Sequence, residues 1–207
     1  MMFSGSMRQR SVHRKRLSVG AMVVALVGLT VLPAEPAEAS NVGATGSTSC
    51  TGLNITENYS GTLEVVRYYR GSLTSGFYNA VSWVMTNRIN PTDLSSSSYS
   101  STTGATVRYY DSAYTDYCGR DWKSGGGNVV GHAKCNSLAG AACQNHSVRF
   151  DTAATSSKNG IVCHETGHTL GFRHPYSSEQ QNSCLANSAT YTNYSPQEIA
   201  DINFIFY

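Results

Sequence analysis

Three histidines within eleven residues constrain this chain more than any other feature of its sequence. Residues 164–174 read HETGHTLGFRH. At 3.6 residues per turn, His164 and His168 lie one above the other on the same face of a helix. Gly171 then allows the backbone to leave the helix through a left-handed conformation, which can bring His174 back toward the other two histidines. The sequence therefore predicts a helix that ends near Gly171 and a cluster of three imidazoles.

Three imidazole ligands suit a zinc ion, because they leave its fourth position open as in catalytic sites. We therefore predict His164, His168 and His174 as ligands of one catalytic Zn²⁺. Glu165 follows the first ligand by about 100° of helix rotation, so its carboxylate can reach a zinc-bound water and act as the general base. The alternative is a chance association of solvated or core histidines. Five fixed positions match by chance in about one chain in 10⁴ of this size, which favours the metal site.

The same residues fit the pattern H-E-x-x-H-x-x-G-x-x-H, and through it the chain resembles the metzincin clan of zinc endopeptidases. Residues 127–133 (GNVVGHA) and 148–151 (VRFD) are similar to two strands of matrixins, the first of which lines the substrate cleft. Residues 195–207 are similar to the matrixin C-terminal helix. Snapalysins are similar in size but typically use Asp as the third ligand, where this chain has His174. The resemblance implies an endopeptidase acting on protein or peptide substrates.

Metzincins carry a methionine-containing turn beneath the zinc, and this chain departs from that pattern. Residues 183–187 occupy the expected place, with Leu185 or Ala186 where the methionine would stand. In the metzincin arrangement the turn containing Cys184 passes under the helix that begins near Cys163, so the resemblance implies a Cys163–Cys184 disulfide. The alternative is that Cys184 pairs with one of the other cysteines, which are Cys50, Cys118, Cys135 and Cys143.

Other positions that carry function in the clan are only partly matched. Ser188 stands where astacins and serralysins place a tyrosine near the zinc, which leaves Tyr191 and Tyr194 as weaker candidates. His132 matches one ligand of the structural zinc of matrixins, but Arg149 replaces another. The comparison therefore implies one zinc ion and not two.

The first 39 residues read as a secretory signal. A basic stretch precedes the apolar run from Leu17 to Leu32, and Ala37-Glu38-Ala39 before Ser40 has the pattern of a cleavage site. The apolar run is shorter than the roughly 20 residues that span a bilayer, which favours cleavage over a membrane anchor. We expect a secreted, extracellular protein that is not attached to a membrane, with an irregular segment over 40–61 and a catalytic domain over 62–207.

Charge and cysteine content exclude several other classes. The chain has 15 Lys and Arg and 13 Asp and Glu. Five of the basic residues and two of the acidic residues lie in residues 1–39, so residues 40–207 carry no excess of positive charge that would bind nucleic acid. All six cysteines follow residue 39 without a C-x-x-C pair, which favours three disulfides over a cysteine-ligated zinc. The spacing of Asp111, Asp116 and Asp121 matches no known calcium loop, so calcium is not favoured. We expect a monomer.

Hydrophobic periodicity predicts the element order β-α-β-β-β-α-α. The predicted strands are 62–70, 106–110, 128–133 and 146–150, and the predicted helices are 77–85, 158–170 and one beginning at the capping box Ser195–Glu198. Residues 95–104 (SSSSYSSTTG) are predicted to form a loop, and His146 is expected at the surface. The predicted fold class is α/β (α+β): one metzincin-like catalytic domain with a mixed twisted sheet, an active-site helix and a C-terminal helix.

Two functions compete with a secreted zinc endopeptidase at this point. The first is a secreted binding module that retains zinc but has little activity, for which the missing methionine is the support. The second is a zinc hydrolase that acts on an amide bond of a non-protein polymer, since pocket shape rather than the motif sets specificity. The presence of Glu165 favours an enzyme.

Overall fold

The computed structural model describes residues 65–111, 130–139, 142–175, 182–186 and 190–205. The chain divides into two compact units, Met1–Ala37 and Glu38–Tyr207, and all the described residues belong to the second. The signal segment, residues 40–61, and the predictions for Ser188, Asp116 and Asp121 lie outside the described residues. Within the described ranges, no helix has the length and apolar character needed to cross a membrane.

The described residues form a five-stranded mixed sheet with three helices, which confirms the predicted α/β (α+β) class. The strands are β1 (Val65–Ser72), β2 (Ser95–Tyr99), β3 (Val107–Tyr110), β4 (Gly131–Ala139) and β5 (Ala142–Phe150). The helices are α1 (Ser75–Val84), which continues as a π-helical segment (Met85–Ile89), α2 (Lys158–Thr169) and α3 (Pro196–Ile205). The strand order is β2-β1-β3-β5-β4, and among these described strands only β4 and β5 pair in an antiparallel way.

The core forms where one face of the sheet meets α1 and α2. Alternate residues of the strands point to this face, and Val148 and Tyr109 are fully buried there. The ring of Phe77 on α1 stacks on Phe150 of β5 with centroids 4.5 Å apart. This packing holds α1 against the sheet, and α2, the helix that carries the histidine motif, contacts α1, β4 and β5.

Strands β4 and β5 form a longer antiparallel pair than the sequence predicts. Their register runs from Gly131 opposite Phe150 to Ala139 opposite Ala142. A disulfide joins Cys135 of β4 to Cys143 of β5, with Cα atoms 5.7 Å apart. This disulfide accounts for part of the additional strand length, because it holds β4 and β5 together beyond the apolar residues from which the strands are predicted.

The prediction of a loop over residues 95–104 is wrong for its first half. Residues Ser95–Tyr99 form β2, which pairs in parallel with β1, from Val65 opposite Ser95 to Tyr69 opposite Tyr99. Leu94, only 2% exposed, anchors the start of this strand in the core. Serine has a low strand propensity, but main-chain pairing with β1 satisfies the backbone whatever the side chains are.

Helix α3 confirms the predicted capping box. The main-chain N–H of Ser195 donates to a carboxylate oxygen of Glu198 at 2.8 Å, and the N–H of Glu198 donates to the hydroxyl of Ser195 at 3.2 Å. Ile202 is fully buried, whereas Ile199 is 39% exposed.

The expectation that His146 lies at the surface is wrong. Its side chain is 1% exposed, because it alternates in phase with Val148 and Phe150, whose side chains point toward the helices. Burial lowers the pKa of His146 to about 4, and a hydrogen bond to the main chain of Thr106 opposes that shift. The neutral imidazole is therefore part of the folded core.

We expect His146 to make the metal-free protein sensitive to acid. Because the pKa of His146 is about 4 in the folded state against about 6.5 unfolded, its neutral form favours folding above pH 6.5, and this contribution is lost as the pH falls toward 4. Between pH 7.0 and 5.5, the free energy of unfolding of the wild type should fall by about 1 kcal/mol more than that of a His146→Gln variant. Urea unfolding in the presence of a chelator measures this difference, and parallel decreases would contradict the assignment.

Candidate metal centre

Helix α2 carries His164 and His168, and most of its residues are buried. The hydroxyl of Ser157 caps the helix by accepting a hydrogen bond from the N–H of Gly160 at 3.3 Å. Inside the fold, the hydroxyls of Thr166 and Tyr109 are hydrogen bonded at 2.9 Å, which ties the helix to the centre of the sheet. The chain leaves the helix at Gly171 with φ 99°, which confirms the predicted left-handed exit.

The three predicted ligands come together. Nε2 of His164 lies 3.0 Å from Nε2 of His168 and 3.0 Å from Nε2 of His174. One ligand atom of each histidine lies within 4.8 Å of the others, so the group could hold a metal ion. Ligand nitrogens around a tetrahedral zinc ion lie roughly 3.4 Å apart, given Zn–N bonds of about 2.1 Å, and the observed spacing fits an ion of this kind.

Two main-chain carbonyls orient the first two imidazoles. Nδ1 of His164 donates to the carbonyl oxygen of Cys184 at 2.8 Å, and Nδ1 of His168 donates to that of Phe172 at 2.8 Å. Because a carbonyl only accepts, each ring carries its proton on Nδ1 and directs the lone pair of Nε2 toward the centre of the group. The tautomer needed for metal binding is therefore fixed before any ion arrives.

Burial also keeps these imidazoles neutral. It lowers the pKa of His164 to about 4 and the pKa of His168 well below its usual value, and it lowers the pKa of the half-buried His174 as well. A metal binds only the neutral ring, so protons compete weakly for this site near neutral pH.

Glu165 follows His164 on α2 and is not part of the histidine group. Its side chain is 4% exposed and packs against Gly131 of β4, where a Cβ atom would lie 2.6 Å from the carboxylate oxygen Oε1. Burial raises the pKa of Glu165 to about 8, and a hydrogen bond with the main chain of Ala133 lowers it in part. The edge strand β4 and the motif helix thus meet at this carboxyl group.

Residues 182–186 lie close to α2, and Leu185 is the residue of this turn that packs against the helix. A Cβ atom on Gly167 of α2 would lie 2.7 Å from Cδ2 of Leu185 and 3.1 Å from Cε1 of Tyr194, so this helix face and the turn are in close contact. Leu185 is fully buried. Leucine therefore packs under the motif helix at the place where the resemblance implies a methionine.

A disulfide between Cys163 and Cys184 confirms the pairing that the resemblance implies. The Cα atoms are 5.8 Å apart, and both cysteines are fully buried. The bond joins the residue before His164 to the residue whose carbonyl oxygen holds that same histidine. None of the described cysteines is free, while Cys50 and Cys118 lie outside the described residues.

The weaker candidates take other positions. The hydroxyl of Tyr194 donates to the carbonyl oxygen of Cys163 at 3.0 Å, so this tyrosine supports the helix, and burial raises its pKa well above the usual value. Tyr191 is 38% exposed. His132 lies opposite Arg149 in the β4–β5 register.

Of the three aspartates considered for calcium, the structure describes Asp111. Its carboxylate supports the start of a helix. Its carboxylate accepts hydrogen bonds from the main-chain N–H of Thr74 at 2.7 Å and from the hydroxyl of the same residue. These contacts hold the start of α1, which begins at Ser75.

Sequence reasoning missed the groups that support the ligands. The carbonyl oxygens of Cys184 and Phe172 have no side-chain signature, so no residue pattern points to them. Gly131 did leave a signal, as a glycine within a predicted strand, which often marks close approach of another group. Comparison with protein-family models and with curated proteins finds no match to this chain.

Proposed function

We propose that this protein is a secreted zinc-dependent endopeptidase of the metzincin type that hydrolyses peptide bonds in protein or peptide substrates. The observation that carries the proposal is the convergence of three imidazole nitrogens, with a buried carboxyl group on the residue next to His164. Three nitrogen donors with an open position suit zinc. A zinc ion held by His164, His168 and His174 supplies a Lewis acid for the scissile carbonyl and makes nearby water more acidic.

Glu165 is the proposed general base. Its carboxylate takes a proton from the attacking water and passes it to the leaving amine. In the protein alone, burial favours the protonated form, since the pKa is raised to about 8. Glu165 ionises more readily when a divalent cation occupies the neighbouring histidine group, because an opposite charge favours the carboxylate.

The edge strand β4 is the proposed substrate platform. It is the last strand of the described sheet, and its residues Gly131 and Ala133 contact Glu165. An extended peptide paired with such an edge by main-chain hydrogen bonds would place its amide bonds near the general base.

Export from the cell is part of the proposal. The two disulfides among the described residues are typical of proteins in an oxidising compartment. The leader pattern over residues 1–39 supports the same location. Sequencing the N-terminus of the protein recovered from the culture medium tests the predicted cleavage before Ser40.

A protease assay with metal removal tests the proposed function. Casein and an unspecific peptide library are incubated with the purified protein, with the protein treated with 1,10-phenanthroline, and with the treated protein after zinc is restored. Hydrolysis that disappears with the chelator and returns with zinc supports the proposal. Zinc binding without hydrolysis of either substrate favours the binding module, and release of amines from cell-wall polymer alone favours a non-protein substrate.

Gly131 should be needed for the position of the general base. A Gly131→Ala substitution places a methyl group 2.6–2.9 Å from three atoms of the Glu165 side chain, so the carboxyl group must move. We expect hydrolysis of a peptide substrate to fall about 10-fold or more, because a small displacement of a reacting group is costly. Zinc content, measured on the same samples, should not change.

Gly76→Ala is the matched control for this prediction. A Cβ atom there would lie 3.0 Å from the side chain of Lys158, whose flexible end can move aside. The control should hydrolyse the peptide at the wild-type rate. Equal activity of the wild type and Gly131→Ala would show that β4 does not position Glu165.

A further inference from the structure

The imidazole of His164, a proposed metal ligand, is held in place by a hydrogen bond to a main-chain atom. Its Nδ1 donates to the carbonyl oxygen of Cys184, and no substitution at position 184 removes a carbonyl group. The orientation of this imidazole therefore depends on whatever fixes the backbone of residues 183–186. The disulfide to Cys163 is one such restraint.

Ser183 provides a second restraint from inside the turn. Its hydroxyl oxygen accepts a hydrogen bond from the main-chain N–H of Leu185 at 3.0 Å, which closes the turn around the carbonyl of Cys184. The same hydroxyl donates its proton to Oε1 of Glu198 at 3.0 Å. Both Ser183 and Glu198 are fully buried.

Glu198 does more than cap its own helix. The capping box uses Oε2, which accepts from the N–H of Ser195 at 2.8 Å, and the box would be complete with the rest of the side chain in water. A buried carboxylate is costly unless hydrogen bonds compensate it. Oε1 meets this requirement through Ser183, so the first turn of α3 is joined to the turn beneath the histidines.

We propose that Glu198 is a positioning residue for the metal ligand His164 and acts through Ser183. The carboxylate holds the serine hydroxyl, the hydroxyl holds the turn, and the turn holds the carbonyl oxygen that orients the imidazole. This inference rests on metal binding by the three histidines, as in the proposed function, but not on proteolysis. Its test therefore measures metal binding directly.

The experiment compares metal binding by the full-length secreted protein and its variants. Ser183→Ala and Glu198→Ala should each weaken zinc binding about 10-fold, the effect typical of losing support behind a metal ligand. The absorption spectrum of the cobalt-substituted protein should change in both variants, because it reports the geometry of the ligands. Glu198→Gln should restore binding to within about 3-fold of the wild type, since its amide can accept from Ser195 and donate to Ser183.

Ser195→Ala is the matched control. It removes the hydroxyl that accepts from the N–H of Glu198, but it leaves the contact between Glu198 and Ser183 in place. Its melting temperature should fall by roughly 3 °C as the helix cap is lost, while zinc affinity and the cobalt spectrum stay at wild-type values.

The possible results separate this inference from the proposed function. If Ser183→Ala binds zinc with wild-type affinity, Glu198 has no positioning role. If Ser195→Ala loses as much zinc affinity as Ser183→Ala, the positioning role is also wrong, because the loss then follows from a lower stability of the fold. If Glu198→Ala does not fold, Ser183→Ala and the Glu198→Gln variant carry the test. Failure of the wild type itself to bind zinc would contradict the proposed function and, with it, the metal binding on which this inference rests.

Discussion

Replacing Glu165 by glutamine should leave zinc in place and abolish most peptide hydrolysis. The amide has nearly the same shape as the carboxyl group, and the three histidines that could hold a metal ion are untouched. Glutamine cannot accept a proton, so the water loses its base and the leaving amine loses its acid. We expect kcat for a peptide substrate to fall by about 10² or more, with zinc content equal to that of the wild type when both are measured on the same preparations.

Asp201→Asn controls for the loss of one carboxylate. Asp201 lies on α3, where its carboxylate accepts a hydrogen bond from the side chain of Gln197 at 2.9 Å. This variant should keep wild-type kcat, since Asp201 has no place in the histidine site. A zinc-replete Glu165→Gln protein with undiminished kcat would remove Glu165 from the proposed mechanism.

The ligand group could be predicted from sequence because local geometry determines most of it. A spacing of four residues places His164 and His168 on one helix face, and the exit at Gly171 depends on a conformation that glycine adopts readily. His174 then needs only the short return that the structure provides. Each of these steps involves residues that are close in sequence, so long-range packing has little influence on them.

Strand pairing could not be predicted in the same way. Residues 95–99 have the composition of a loop and form a strand because β1 offers an edge, a partner distant in sequence. His146 is buried because it points toward the helices from β5, which outweighs its polar character. The hydrogen bond from Ser183 to Glu198 likewise joins two segments that meet only in the folded chain.

The Cys163–Cys184 disulfide should stabilise the fold and the metal site together. It closes a segment with a sequence separation of 21 that contains all three histidines of the candidate metal site. Loss of this crosslink in a Cys163→Ser/Cys184→Ser variant should lower the free energy of unfolding by about 3 kcal/mol, from loop-closure entropy. Zinc affinity should fall about 10-fold, because the carbonyl that orients His164 belongs to one of the two bonded residues.

The other disulfide provides the control that separates these two effects. Cys135–Cys143 has a sequence separation of 8 and lies in the β4–β5 pair, so a Cys135→Ser/Cys143→Ser variant should lose a comparable stability of about 2.5 kcal/mol and keep its zinc affinity. Chemical denaturation and competition with a zinc indicator measure the two quantities on each variant. If both variants lose zinc affinity equally, the loss follows from a weaker fold. If neither does, hydrogen bonds alone hold the turn, and the disulfide acts only on the unfolded chain.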